Sequence, residues 1–216
     1  MIKCTILSDL HGFIPPDLES GDVLIICGDL TGRDREDEYF KVFDWIDKQP
    51  FTEKILVAGN HDMRMEMENY DGPAHGEFHY LCDSGVELFG FKFWGSPRSL
   101  WFKGINPLCK SFTGSESDLK KYYDKIPDDT DVIISHGPMM KVLDLCPNGS
   151  VGSWALRAAV DRVKPILLVT AHIHEEGGNQ ILYKHQGPNT LCVNGSYVNA
   201  RYRPVNKPVK LTLGKR

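Results

Sequence analysis

Five short apolar runs in this chain end alike, and that repetition constrains the fold more than any other feature. Residues 2–7 lead into Ser8-Asp9, residues 23–27 into Gly28-Asp29, and residues 55–58 into Gly59-Asn60-His61-Asp62. Residues 132–134 lead into Ser135-His136-Gly137, and residues 166–170 into Ala171-His172-Ile173-His174. Runs this short, β-branched and without polar alternation, suit strands covered on both faces. Taken alone they would also suit buried helix segments, and the surrounding glycine and proline punctuation favours strands.

Elements that could cover those strands lie between them. A helix is expected over residues 36–48, where Tyr39, Val42, Phe43 and Ile46 recur at helical spacing before Pro50. A second is expected over 153–163, ahead of Pro165, and a third over 115–123. Residues 86–94, 181–183, 191–193 and 209–213 read as β and fit a meander or a mixed sheet. The fold class is therefore α/β with added antiparallel strands, in layers.

At 216 residues, one domain spanning 1–216 accounts for the chain. A composition 41% hydrophobic and 25% charged excludes disordered, collagen-like and coiled-coil classes, and no apolar run approaches a membrane span. The net charge of −4, without a block of Lys or Arg, argues against a broad nucleic-acid-binding surface. It leaves a small phosphate-bearing substrate open as partner and says nothing of oligomeric state. The opening residues carry a single Lys and no stretch suited to a signal peptide, so a cytoplasmic location is expected. Six cysteines without a C-x-x-C pair read mostly as buried thiols, not as a zinc ribbon or a disulfide framework.

The residues at the strand ends carry the chemistry. Asp9, His11, Asp29, Asn60, His136, His172 and His174 all follow apolar runs, and in α/β sheets functional groups gather outside the carboxyl ends of strands. Taken singly, each could be a cap or turn residue; together they form a convergent set. Mixed His, Asp and Asn donors suit divalent transition metals such as Mn, Fe or Zn, with Ni and Mg as further options, better than Ca or a thiolate zinc site. The number of donors fits two metals, with Asp29 as the bridging carboxylate between ions roughly 3.5–4 Å apart.

The succession D-x-H, G-D, G-N-H-D, S-H-G and x-H-x-H, from Asp9 to His174, resembles the calcineurin-like metallophosphoesterases. The resemblance implies a four-layer β-sandwich flanked by helices. It implies one metal on Asp9, His11, Asp29 and His174, and the other on Asp29, Asn60, His136 and His172. The stretches FGFKFWGSPRSLWF, ISHGPMMKVLDLCP and AHIHEEGG are similar to the subgroup of metallophosphoesterase-domain-containing proteins. Ala171 stands where glycine usually precedes the first histidine of the pair, a small change. Some relatives in that subgroup lack the histidine that corresponds to His172 and have an impaired second site; this chain keeps it, so two working metal positions are expected.

Two divalent ions against the charges of Asp9 and Asp29 make a net positive pocket that attracts phosphate despite the negative chain. The expected reaction is in-line attack on phosphorus by a water bridging both metals and deprotonated near neutral pH. His61 is the expected general acid, with Asp62 orienting its ring or raising its pKa. Asn60, His61 and Arg98 are the expected substrate-binding residues. Specificity is assigned to the loops 63–81 and 95–114, which hold Arg64, His75, His79, Trp101 and Phe102. For these loop residues ordinary surface charge and packing is the competing reading, as a simple turn is for Asn194-Gly195-Ser196. His185 is given no role.

The leading expectation is a binuclear phosphodiesterase acting on a small diester such as a cyclic nucleotide. A phosphomonoesterase or protein phosphatase, and a weakly active nucleotide-binding regulatory module, stay open as alternatives. A nuclease is disfavoured by the missing basic stripe. A metallo-β-lactamase-like hydrolase is disfavoured because that pattern continues H-x-H-x-D-H, whereas here His174 is followed by Glu175-Glu176.

Overall fold

The structure is a computed structural model that describes residues 1–67, 77–102 and 109–215. All five apolar runs form strands, divided between two sheets. In the first sheet β1 (Ile2–Leu7), β2 (Gly21–Cys27), β3 (Phe51–Val57) and β4 (His79–Tyr80) lie parallel in that order. Its other edge is β15 (Val209–Leu213), antiparallel to β1. The second sheet is built on four parallel strands, in spatial order β6 (Phe91–Ser96), β9 (Val132–Ser135), β12 (Leu167–Thr170) and β14 (Thr190–Asn194). Antiparallel edges close it: β5 (Ser84–Leu88) on β6 and β13 (Gln180–Tyr183) on β14. Residues 86–94 are thus a hairpin turning at Phe89-Gly90, and the later strands belong to a mixed sheet. Two small ribbons, β7 (Ser99–Leu100) with β8 (Thr113–Gly114) and β10 (Leu145–Cys146) with β11 (Gly149–Ser150), extend from this frame.

Alternate residues of the buried strands face opposite layers, which explains why the runs are apolar throughout. Ile6, Ile25, Ile55 and Val57 of the first sheet meet Phe93, Val132, Ile134 and Val169 of the second in a shared core. Their neighbours Leu24, Ile26 and Leu56 turn outward against Val42, Phe43 and Ile46 of α1 (Glu36–Lys48). On the far side Ile133, Leu168 and Cys192 pack on Leu119 and Tyr123 of α3 (Glu116–Tyr123) and on Leu156 and Val160 of α4 (Trp154–Val163). The layers run helix, sheet, sheet, helix. Each fully buried aliphatic or aromatic side chain in them stabilises by about 1.5–3 kcal/mol.

Local chemistry sets the helix limits. Ser115 and Ser153 are caps just outside α3 and α4, their hydroxyls accepting from Asp118 N and Leu156 N. Glu36, Asp37 and Glu38 complement the positive end of α1, and Lys164 takes a left-handed conformation before Pro165 to end α4. A one-turn helix not anticipated from periodicity, α2 (Met63–Met67), follows the third strand end.

Candidate metal centre

β1, β2 and β3 are parallel, as are β9 and β12, and their carboxyl ends meet along one rim. The loops there continue the sheet pairing: Asp9 N donates to Gly28 O and His11 N to Asp29 O, each at 2.9 Å. Asp9, His11, Asp29 and His172 all sit at positive φ, between 46° and 68°. That region costs a non-glycine residue about 1–3 kcal/mol, and such strain clusters where side chains must be aimed. Two glycines make room for them. A Cβ on Gly28 would lie 2.4 Å from His136 Nδ1, and one on Gly59 would lie 2.2 Å from Asp29 Oδ1.

Two donor clusters result, Asp9 with His11, Asp29 and His174, and Asp29 with His136 and His172; within each, one atom per residue lies within 4.8 Å of the others. Asp29 belongs to both, with Oδ2 3.7 Å from His11 Nε2 and Oδ1 3.4 Å from His136 Nε2. Asn60 Oδ1 joins the second cluster 3.0 Å from His136 Nε2. His136 Nδ1 lies 2.9 Å from the Cys27 carbonyl, which can only accept, so Nδ1 carries a hydrogen and Nε2 is the nitrogen turned to the cluster. Asp9 is held by the His172 amide at 3.2 Å to each oxygen and by Ser196 Oγ at 2.6 Å.

This donor set fits divalent cations. Asp9 and Asp29 are 0% and 1% exposed, and among the described residues their ion-pair partners are all histidines. His11 Nε2 and His174 Nε2 face each other at 3.1 Å, and His11 Nδ1 is buried without a hydrogen-bond partner among the described residues. Buried carboxylates and opposed imidazole lone pairs are stable together only with cations or protons between them. Burial drives the His11 and His172 pKa values down to about 4, so both rings are neutral donors near pH 7. Burial works against the charged forms of Asp9 and Asp29 too, but the hydrogen bond and attraction of His174 at Asp9, and the attraction of His136 and His61 at Asp29, outweigh it and hold both carboxyls below their usual range.

The profile of the family described as calcineurin-like phosphoesterase matches residues 2–176, most of the chain and all of these ligands. The chain belongs to the calcineurin-like phosphoesterase family. Metallophosphoesterase domain-containing protein 1 of Homo sapiens is 31% identical over 96% of this chain and 69% of its own length, as is its Mus musculus counterpart. The protein TT1561 of Thermus thermophilus shares the fold of this family member, with a TM-score of 0.58 at 13% identity over 92% of this chain and 89% of the other.

Around the ligands, some expected roles change. Asp62 is fully buried and both its oxygens are engaged elsewhere: by Leu30 N, Thr31 N and Thr31 Oγ1 on Oδ1, and by Gly59 N at 2.8 Å on Oδ2. It ties the strand ends of β2 and β3 together. The His61 ring instead has Cys109 Sγ 3.5 Å from Nδ1 and Asp29 Oδ2 4.0 Å from Nε2, while its amide donates to Asp29 Oδ1. Arg98 is not set as a substrate clamp. Its guanidinium pairs with Asp83 at 2.8 Å and lies 3.7 Å over the Tyr122 ring, so its charge is already spent inside the fold.

Arg64 bonds Asp34, and His79 pairs with Glu53, while His75 lies outside the described residues. Trp101 is about half exposed. His185 contacts Thr190 and Asp161. Asn194-Gly195-Ser196 reaches the site, because β14 lies parallel beside β12 and delivers Ser196 to Asp9. The signal was present in the sequence, since residues 191–193 form one more apolar run with a polar end. Two neighbours were not anticipated: Cys109 beside His61, and Tyr202, whose ring meets those of His11 and His174 at 4.8 and 4.9 Å.

Proposed function

We propose that this protein is a binuclear metal-dependent phosphodiesterase that hydrolyses a small phosphodiester such as a cyclic nucleotide. The observation that carries this reading is Asp29, one oxygen turned toward each of two donor clusters. The first metal position is Asp9, His11, Asp29 and His174; the second is Asp29, Asn60, His136 and His172. When bound, two divalent ions, with manganese the leading candidate, would supply Lewis acidity and a water made nucleophilic near neutral pH.

The chain's own residues do the rest. Asp9, oriented by Ser196 and the His172 amide, and His136, oriented by the Cys27 carbonyl, hold their donor atoms before any ligand arrives. Asn60 offers its carbonyl oxygen and keeps its amide toward the Cys109 carbonyl. His61, 12% exposed at its side chain and beside both clusters, gives a proton to the departing oxygen. We read the protein as acting in the cytoplasm; all six cysteines are free thiols, which supports a reducing compartment. Among the described residues no helix is long and apolar enough to cross a membrane.

The test is chelator-stripped protein titrated with manganese and assayed on bis-p-nitrophenyl phosphate and p-nitrophenyl phosphate. Manganese-dependent cleavage of the diester, faster than the monoester, is expected. Faster monoester cleavage would make it a phosphomonoesterase, and bound metal without turnover on either would leave a binding module.

A further inference from the structure

The donor clusters consist of carboxylates, imidazoles and an amide, groups that grip a phosphate but cannot recognise what the phosphate carries. A tyrosine ring borders them. Tyr202 lies 4.8 Å from the His11 ring, 4.9 Å from His174 and 6.4 Å from His61, centroid to centroid, and is 43% exposed. It therefore reaches the first metal position and the proposed general acid while keeping surface open.

The turn that presents it is tightly built. Asn199 Oδ1 accepts from Arg201 N and Arg203 N, Tyr202 N donates to Asn199 O at 2.8 Å, and Val198 bridges Pro204. The same segment leaves β14 through Ser196, which bonds Asp9, so the ring is anchored to a ligand of the centre. Tyr202 itself has φ 54°, a conformation that bulky residues rarely adopt, and strain of this kind persists where the surroundings enforce it. Arg201 and Arg203, both exposed, flank it in sequence and add positive charge to the turn.

We propose that Tyr202 is the specificity-determining residue of this site, packing its ring against a planar, nucleobase-like group carried by the phosphate ester. This deepens the phosphoesterase reading and rests on it for the location of the phosphate.

The full chain, loaded with manganese, is titrated calorimetrically with AMP and with ribose 5-phosphate, which share a phosphate and differ in the base. Wild type is expected to prefer AMP about tenfold, the scale of one base–aromatic contact. Tyr202→Phe keeps the preference. Tyr202→Ala and Tyr202→Leu, the second retaining bulk without a ring, reduce it to about twofold or less, with ribose 5-phosphate affinity and two metals per chain unchanged. Equal affinities in wild type, a preference that survives in Ala and Leu, or binding of neither ligand overturns the proposal. Diester turnover is read in parallel. A protein inactive on diesters that shows the Tyr202-dependent preference refutes the diesterase and keeps the recognition role; an active diesterase indifferent to Tyr202 does the reverse.

Discussion

Ser196 Oγ donates to Asp9 Oδ2 across 2.6 Å, joining residues 187 positions apart at a point where both are completely buried. Asp9 has no lysine or arginine among its described ion-pair partners, so this hydroxyl and the His172 amide fix the direction of its oxygens. Groups that orient a metal ligand matter nearly as much as the ligand, typically about 10–100-fold in affinity or activity. Ser196→Ala is therefore expected to weaken manganese binding by about tenfold or more. Competition against a calibrated chelator measures it, and an unchanged affinity would remove Ser196 from the centre.

His172 and His61 should separate binding from turnover. His172→Ala is expected to lower metal content from two per chain and to lower turnover with it. His61→Ala should keep both metals and lose about 10²–10⁴-fold in rate. Metal analysis beside diester assays decides both, and full activity in His61→Ala sinks the general-acid assignment.

Acid should loosen the metal-free protein. Burial depresses His11 and His172 from 6.5 to about 4, so their contribution to stability is complete above pH 6.5 and is lost as pH falls toward 4. His174 runs the other way. Burial opposes its proton, but its bond to Asp9 outweighs that and raises its pKa, so its contribution is complete below 6.5 and is lost as pH rises through the raised value. Between pH 6.5 and 4 the His174 contribution is constant, and Asp62, whose carboxyl burial pushes up to about 7, gains stability as pH falls, so two groups that lose are set against one that gains. Urea midpoints in excess chelator are expected to fall between pH 6.5 and 4, and a rise across that interval would contradict these protonation states.

The close approach at Gly59 predicts a sharp contrast. A Cβ there would lie 2.2 Å from Asp29 Oδ1 and 2.4 Å from Asp29 N, so Gly59→Ala should displace the shared carboxylate and abolish loading of both metals. Gly90, at φ 75°, has nothing within 4 Å of the corresponding position, and Gly90→Ala should cost about 1 kcal/mol of backbone strain while loading normally. Metal content and thermal unfolding of the two variants give the comparison.

Arg98 should prove a residue of the fold. Its side chain is 14% exposed and pairs with Asp83, and leaving that carboxylate unpaired should cost about 3–5 kcal/mol. Arg98→Ala is expected to lower the urea midpoint and to leave KM unchanged at a temperature where it stays folded. A selective rise in KM with unaltered stability would return Arg98 to the substrate.

Much of the architecture was legible because it rests on local rules. A strand covered on both faces must be apolar at consecutive positions, so residues 2–7 and 132–134 announced buried strands, and Ser115 and Ser153 marked the helix starts. The polar ends of those strands, Asp9, Asp29, Asn60, His136 and His174, were readable as one site because parallel strands of a covered sheet open onto a common edge.

Tertiary structure alone decided which partner each side chain meets. Periodicity records that a face is covered, not by what, so nothing in the neighbourhood of Arg98 distinguishes a substrate clamp from the ion pair with Asp83. Asp62 lies next to His61 in the chain yet turns to the amides of residues 30, 31 and 59, because unpaired buried N–H groups are costly and its carboxylate satisfies these three. Tyr202 and Ser196 reach Asp9 and His11 only because β14 pairs beside β12, a long-range choice made by the packing of both sheets at once.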